Sequence, residues 1–392
     1  MSTAAHTLKV LHLASHEINV GDGALNSAIR DRLTHLWGSE IDFTLGDVAV
    51  DRPELTAAQA NEYDLVIVGG GGSISNGPFA AQNGTAMPMT IEEYSRSTTP
   101  FAFVGLGHNV FEGDPYRHGK ALTQLLLEAA QRRDPFSVRN DGSLARLHRD
   151  LGDVADTVVE IPDPGFFVDA PSRHPTEASA RPYALIQVAG DSLARRVGLG
   201  RTQRILMKLG KKDPTRAITD GIIDFAMRLW QSHRLDIMVA PHIPQDVTMS
   251  ATIVRELYRR AGKAGAHRPF RLMGTPHPLH AKSFFGAYSA AELIVGMRGH
   301  SVICGVGLRR PTIALSTHPK VIGFMEECGV GQWSATIGKT MSGELFRLAD
   351  GVLSDNGAAY FAARDPAVAT FSDRFDDFLR KALDRVRENQ GS

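Results

Sequence analysis

The chain reads as an α/β protein in which two Rossmann-like halves face each other across a cleft, and three observations predict it. Short β-rich runs alternate with longer segments of helical period, the pattern of parallel strands joined by crossover helices. The series occurs twice, on either side of residues 170–182, which carry no periodicity and are rich in residues that resist helix and strand. At 392 residues, 43% hydrophobic and 22% charged, the chain is long enough for roughly two or three ordinary domains and too long for one small core.

In the first half, strands are expected near residues 10–14, 65–68, 101–104 and 136–138, with a fifth near 158–161, each ending in glycine, charge or a turn. The helix after the first strand is expected to begin at Asp22, whose carboxylate can cap free N–H groups, and to carry Leu25, Ile29, Leu33 and Leu36 on one face. In the second half, strands are expected near 183–188, 236–240, 270–273, 293–295 and 312–315, with a helix over 219–230 among the connections. A last helix from about Phe371 sets Phe371, Phe375, Phe378, Leu379, Ala382 and Val386 at helical spacing, with Thr370 as its cap. The pattern leaves open which half it packs on. These readings place domains at 1–172 and 181–370, with a terminal helix over 371–392.

Charge and cysteine content narrow the function. Lys plus Arg and Asp plus Glu both number 43, so no global field draws the protein onto nucleic acid or an acidic membrane. One segment is locally basic: Arg195, Arg196, Arg201, Arg204, Lys208, Lys211, Lys212 and Arg216 face only Asp191 and Asp213. It is either a solvated loop or a lid over an anionic acceptor or anionic lipid. The two cysteines, Cys304 and Cys328, are too few for a disulfide framework and lie in no ligand spacing, which favours a reducing compartment, the cytoplasm by default. The first residues show no signal-peptide pattern, and the apolar runs fall far below the roughly 18 residues a membrane span requires. Any membrane role is expected from the surface.

The residues that suggest chemistry sit at expected strand ends, the rim where open α/β sheets bind ligands. Asn19-Val20-Gly21-Asp22-Gly23 follows the first strand, and Asp22 either caps the helix or contacts a sugar hydroxyl. Gly69-Gly70-Gly71-Gly72-Ser73 follows the second expected strand. It is either a tight turn or a close approach that offers N–H donors to a carboxylate or phosphate. It is neither a dinucleotide fingerprint nor a P-loop. Gly105-Leu106-Gly107-His108-Asn109 is expected to turn on the same rim. Arg139 stands where the next strand runs out, with Ser143 able to cap the following helix; Arg139 either clamps an anion or pairs with Asp141 or Asp163.

In the second half, Arg298-Gly299-His300 follows an apolar strand and opens a helix, an arrangement that can bind an anion and handle a proton. His242 and Lys320 follow other strands of that half and add to a cationic cluster. No HExxH occurs and His277-Pro278-Leu279-His280 has no carboxylate or cysteine at ligand spacing, so no metal is expected. No GxSxG elbow is present.

Taken in order, these pieces resemble the polysaccharide pyruvyl transferase family from about Asn19 to Gly329. The resemblance rests on Asn19-Val20-Gly21-Asp22, residues 68–73, Val138 to Ser143, Pro162-Asp163-Pro164, Pro241-His242 with Asp246, Arg298-Gly299-His300 and residues 311–320. It implies a two-domain fold similar to the GT-B glycosyltransferases and phosphoenolpyruvate as donor, with no other cofactor. The implied reaction places a pyruvyl ketal on hydroxyls of a sugar or glycan, either free or lipid-linked, and the expected place is the cytoplasm, either away from the membrane or at its inner face. Gly299 departs from the family pattern, which often has a larger residue there, and the basic segment has no counterpart.

The resemblance implies roles as follows. Arg139, Arg298 and Lys320, with Gly71, Gly72 and Ser73, hold the donor; His300 and Arg298 are the catalytic pair, with His300 handling the proton as general acid or base; Asn19, Asp22, Asp163 and His242 orient the acceptor. Two rival readings remain: an inverting glycosyltransferase that uses a nucleotide sugar, and a sugar- or nucleotide-binding module without chemistry. Oligomeric state is not legible.

Overall fold

The computed structural model describes residues 7–48, 54–77, 79–110, 114–171, 181–191, 214–262, 268–315, 319–338 and 340–391. Of the basic segment, only Asp191 and the exposed Arg216 lie among them. The chain divides into two compact units: Met1–Gly165 with Thr370–Ser392, and Phe166–Ala369.

Among the described residues of the first unit, seven strands form one parallel sheet: β1 (Leu8–Ala14), β2 (Ile41–Asp47), β3 (Leu65–Val68), β4 (Gly71–Ile74), β5 (Phe101–His108), β6 (Phe136–Arg139) and β7 (Val159–Ile161). Their order is β2-β1-β3-β5-β6-β7, with β4 alongside β5. All four residues of β3 are buried, as expected of a central parallel strand covered on both faces. Phe101 and Phe103 of β5 join Leu122, Leu125 and Leu126 of the helix Gly119–Arg132 in the core. The connections are helical because parallel neighbours need a crossover.

Several local expectations are corrected. The first helix is Val20–Trp37, beginning two residues before Asp22; Asn19 caps it by accepting from the Gly21 N–H at 3.0 Å. Asp22 therefore lies inside the first turn, half-buried, rather than at the cap. Ser143 does not cap its helix, which starts after Gly142; its hydroxyl instead accepts from the His108 N–H at 2.8 Å and donates to Asp141. Residues 105–108, expected as a turn, continue β5. Glycine makes this extension compatible with its neighbours: a Cβ at Gly107 would stand 2.5 Å from Arg139 Nη2. The edge strand β2 was not anticipated.

The last helix, Phe371–Gly391, belongs to the first unit. Its Phe371, Phe375, Phe378, Leu379, Ala382 and Val386 are buried, its Asp376 pairs with Arg32, and Ser372 accepts from Arg32 at 2.8 Å.

Among the described residues of the second unit, six strands form a parallel sheet: β8 (Tyr183–Gln187), β9 (Asp236–Val239), β10 (Phe270–Leu272), β11 (Leu293–Gly296), β12 (Thr312–Leu315) and β13 (Ser334–Ala335). The order β10-β9-β8-β11-β12-β13 is the doubly wound 3-2-1-4-5-6 arrangement. The expected helix over 219–230 is the middle of Pro214–His233, whose Ile222, Phe225 and Leu229 share a core with Ile253, Leu257 and Leu345.

The strand order fixes where a ligand can sit. In a sheet of this kind the crevice opens at the carboxyl ends of the two strands where the order reverses. These are β1 and β3 in the first unit and β8 and β11 in the second.

Candidate functional site

At the switch point of the second unit, the chain leaves β11 through Met297 and Arg298 into the helix Gly299–Gly307. Gln187, the last residue of β8, accepts the N–H groups of both Met297 (3.2 Å) and Arg298 (2.8 Å) on one side-chain oxygen. That pair of bonds fixes the exit of β11 against β8. His300 then falls in the first turn of the helix, 8% exposed, where backbone N–H groups have no intrahelical partner and favour an anion.

Arg298 is held by a buried hub. Its Nε and Nη2 donate to the two carboxylate oxygens of Asp246 at 2.8 and 2.5 Å, and Nη2 also reaches Asp191. Asp246 is 0% exposed and accepts further N–H bonds from Gly190 at 2.8 Å and His242 at 3.1 Å. Burial opposes the guanidinium's charge, but Asp246 and Asp191 outweigh it and hold its pKa above the ordinary arginine value. Among the described residues, no hydrogen-bond partner takes the N–H groups of Nη1. The fork is thus oriented by one face and offers its remaining donors from the other.

His242 follows β9 and is 0% exposed, so the direct acceptor contact expected of it does not fit its position. Phe284, Phe285 and Tyr288 surround its ring, and its Nε2 lies 2.6 Å from the Tyr288 hydroxyl. Burial, with Arg298 and His300 nearby, holds its pKa well below the ordinary imidazole range, so it is neutral near pH 7. Lys320 is half-buried in the helix Pro319–Glu327 that follows β12.

The first unit gathers a different set. Arg139 at the end of β6 donates from Nε to Asp141 at 2.8 Å and from Nη1 to Asp163 at 3.2 Å. Its side chain is 11% exposed. Burial works against its charge, but Asp141, Asp163 and Asp22 together raise its pKa. Of the two readings open for Arg139, the structure shows the ion pairs. Asp163, expected to meet the acceptor, is 0% exposed and accepts the Gly165 N–H at 2.8 Å, so it serves the pair and the turn after it.

The glycine run is not an open loop. Gly71, Gly72 and Ser73 form β4 with Ile74, and the N–H groups before it are consumed internally: Gly69 donates to Leu13 at 2.9 Å and Gly70 to Asn26 at 3.3 Å. Packing alone already requires glycine here. A Cβ at Gly70 would stand 2.2 Å from Leu25 Cδ1 and one at Gly72 2.8 Å from Asn109. Gly71, at φ +92°, faces Asp22, whose carboxylate lies 3.5 Å from where a Cβ would be. His12, buried in β1, bonds the Gly69 carbonyl through Nε2, and Arg30 contacts its Nδ1 at 3.3 Å.

The structure thus brings together Arg298, His300, His242 and Asp246 in one unit, and Asp22, Gly71, Arg139 and Asp163 in the other. Gln187 and Tyr288 were missed. A glutamine ending an otherwise apolar strand is a readable signal; a tyrosine inside an apolar helix is not. Among the described residues, no group of three or more His, Cys, Asp or Glu is placed to hold a metal ion, and no helix is long and apolar enough to cross a membrane.

Two parallel sheets with ligand rims at their switch points define a paired Rossmann-like, GT-B-like α/β protein. Solved structures share that fold. The S. aureus MnaA–UDP co-structure is 12% identical with a TM-score of 0.55, covering 97% of this chain and 98% of that one. A putative UDP-N-acetylglucosamine 2-epimerase from Listeria monocytogenes is 12% identical at TM-score 0.54, covering 98% and 97%. UDP-GlcNAc 2-epimerase from Neisseria meningitidis, bound to UDP-GlcNAc, is 9% identical at TM-score 0.52, covering 97% and 100%. No protein with a curated description matches the chain in sequence. The family model for polysaccharide pyruvyl transferase matches residues 5–319, and the chain belongs to that family of transferases.

Proposed function

We propose that the protein transfers the pyruvyl group of phosphoenolpyruvate to two hydroxyls of a sugar or glycan, forming a ketal and releasing phosphate. The observation that carries this reading is the Arg298–His300 pair at the head of a helix at a sheet switch point, with Arg298 oriented by Asp246 and its Nη1 donors turned elsewhere. Those donors suit the donor's carboxylate or phosphate, and the first-turn N–H groups add to the same preference. Lys320 is assigned to the departing phosphate.

The first unit is assigned to the acceptor. Around Arg139 stand three carboxylates, Asp22, Asp141 and Asp163, so that rim repels a doubly anionic donor and suits neutral hydroxyls. Asp22, half-buried beside Gly71, orients a hydroxyl; Asn19 supports it by fixing the helix start.

In the reaction, His300 delivers a proton to the methylene carbon of the donor, which becomes a methyl group while the adjacent carbon turns electrophilic. The first acceptor hydroxyl adds there and its proton returns to His300. The bond from that carbon to the phosphate oxygen breaks as the second hydroxyl adds, and the second proton leaves with phosphate.

The test is incubation with phosphoenolpyruvate and a panel of glycans, reading phosphate release and product mass, with thermal shifts alongside. The expected result is acceptor-dependent phosphate release, and stabilisation by phosphoenolpyruvate but not by nucleotide sugars. Stabilisation by a nucleotide sugar alone, with no phosphate release from any pairing, overturns the reading in favour of a nucleotide-sugar enzyme or binding module.

A further inference from the structure

The second unit contains a buried polar path that the catalytic assignment does not use. His242 Nε2 and the Tyr288 hydroxyl are 2.6 Å apart, and that hydroxyl is 3.2 Å from Ser301 Oγ. His242, Tyr288 and Ser301 are each 0% exposed. Ser301 is the residue after His300, in the first turn of the helix Gly299–Gly307, and its N–H returns to the Arg298 carbonyl at 3.1 Å. The path therefore runs from the end of β9, through the helix Ala281–Ser289, to the turn that carries both Arg298 and His300.

Three further facts give the path a direction. The His242 N–H donates to Asp246, the same carboxylate that grips the Arg298 fork. Among the described residues, the His242 Nδ1 atom is buried with no hydrogen-bond partner, and the ring is held through Nε2 and its aromatic walls. Gly296, just before Arg298, leaves the space that Ser301 fills: a Cβ there would stand 2.7 Å from Ser301 Oγ. An unpaired buried ring nitrogen has a free-energy cost, and a purely apolar side chain in the same aromatic box would avoid it.

We propose that His242 is a positioning residue, acting through Tyr288 and Ser301 to fix the helical turn that presents Arg298 and His300 to the substrate. The role rests on the pyruvyl-transfer reading for its substrate, but the linkage itself does not. With Nε2 as the donor, the polarity is His242 to Tyr288 to Ser301, which leaves Nδ1 as an unpaired acceptor rather than an unpaired N–H. The Tyr288 phenol keeps its proton because burial pushes its pKa well up.

The experiment combines kinetics with tautomer measurement. Tyr288→Phe and Ser301→Ala each remove one link, and His242→Gln keeps a polar group at the head of the path. Tyr288→Phe is expected to lower kcat for phosphate release by about tenfold or more, with KM for phosphoenolpyruvate changed less than about threefold, since a misplaced proton-transfer group acts on the chemical step. The double variant Tyr288→Phe with Ser301→Ala is expected to lose no more than the worse single variant, because both break the same path.

Nitrogen-15 NMR of the histidines in the full-length protein is expected to show His242 as the Nε2–H tautomer, changing on Tyr288→Phe. Full additivity of the two losses, or a folded Tyr288→Phe enzyme with kcat within twofold of wild type, overturns the proposal. If Tyr288→Phe does not fold, Ser301→Ala with kcat within twofold does the same. If the wild-type protein turns over no phosphoenolpyruvate, the function reading fails, and an unchanged His242 tautomer in Ser301→Ala and Tyr288→Phe then separately decides against the path.

Discussion

Arg139 and Arg298 occupy similar places, each at the carboxyl end of a parallel strand and each gripped by buried aspartate, yet their surroundings differ. Arg298 takes one bidentate carboxylate, Asp246, and a partly exposed second, Asp191, and stands at a helix N-terminus. Arg139 is divided between Asp141 and Asp163, with Asp22 adding a third negative charge. Strand-end position alone does not make an arginine an anion clamp. Each guanidinium contacts two carboxylates, and what differs is the third negative charge of Asp22 near Arg139 and the helix N-terminus beside Arg298.

The comparison can be broken most severely at His300, in the first turn of the helix that follows Arg298. His300→Ala is expected to lower kcat for phosphate release by about 10²–10⁴-fold with the fold intact, checked by circular dichroism beside steady-state assays. Next in size, Asp246→Ala leaves the buried Arg298 without its main partner and is expected to cost about 3–5 kcal/mol in urea unfolding. Arg139→Met is expected to cost a similar amount while leaving the Kd for phosphoenolpyruvate within about threefold, whereas Arg298→Lys weakens it by about tenfold. Isothermal titration of the two arginine variants checks the contrast directly, and a larger affinity loss at Arg139 would reverse the assignment of the two rims.

A smaller effect concerns pH. Burial depresses the folded-state pKa of His12 and His242 below 6.5, and the unfolded chain takes up a proton at each near that value. Their contribution is therefore fully present above pH 6.5 and is lost as pH falls toward the folded values, at up to about 1.4 kcal/mol per pH unit for each histidine. Denaturant unfolding between about pH 7 and about pH 5, an interval that starts above the ordinary imidazole value and ends below it, is expected to show this slope, and His242→Gln to make it shallower.

Smallest is Gly299→Ala. A Cβ there meets only Ile303 Cδ1 at 3.9 Å, so the substitution is expected to be neutral or to stabilise by up to about 1 kcal/mol, with kcat unchanged. The departure from the family pattern at this position is thus tolerated by space rather than required by it.

Much of the fold was legible because parallel central strands are continuous apolar runs, as Leu65–Val68 and Leu293–Gly296 are. The edge strand Ile41–Asp47 alternates and was readable but passed over. The glycine run could not be read as a strand, since its register comes from the backbone of β5 rather than from side chains of its own. At the site, Asp141 and Asp163 were visible as partners of Arg139 because they lie close in sequence. Asp246, 52 residues from Arg298, and Gln187, 111 residues away, were not visible as partners, because only the sheet order brings strand ends together.

The return of helix Phe371–Gly391 to the first unit makes that unit discontinuous, while the second occupies one unbroken stretch of chain. On the ribosome, the first unit emerges without Asp376 for Arg32 and without the phenylalanines that complete its packing. Synthesis ordinarily lets the leading domain mature first. Here the trailing domain can finish before the leading one, and a nascent chain stalled short of Phe371 lacks the apolar residues that cover part of the leading unit.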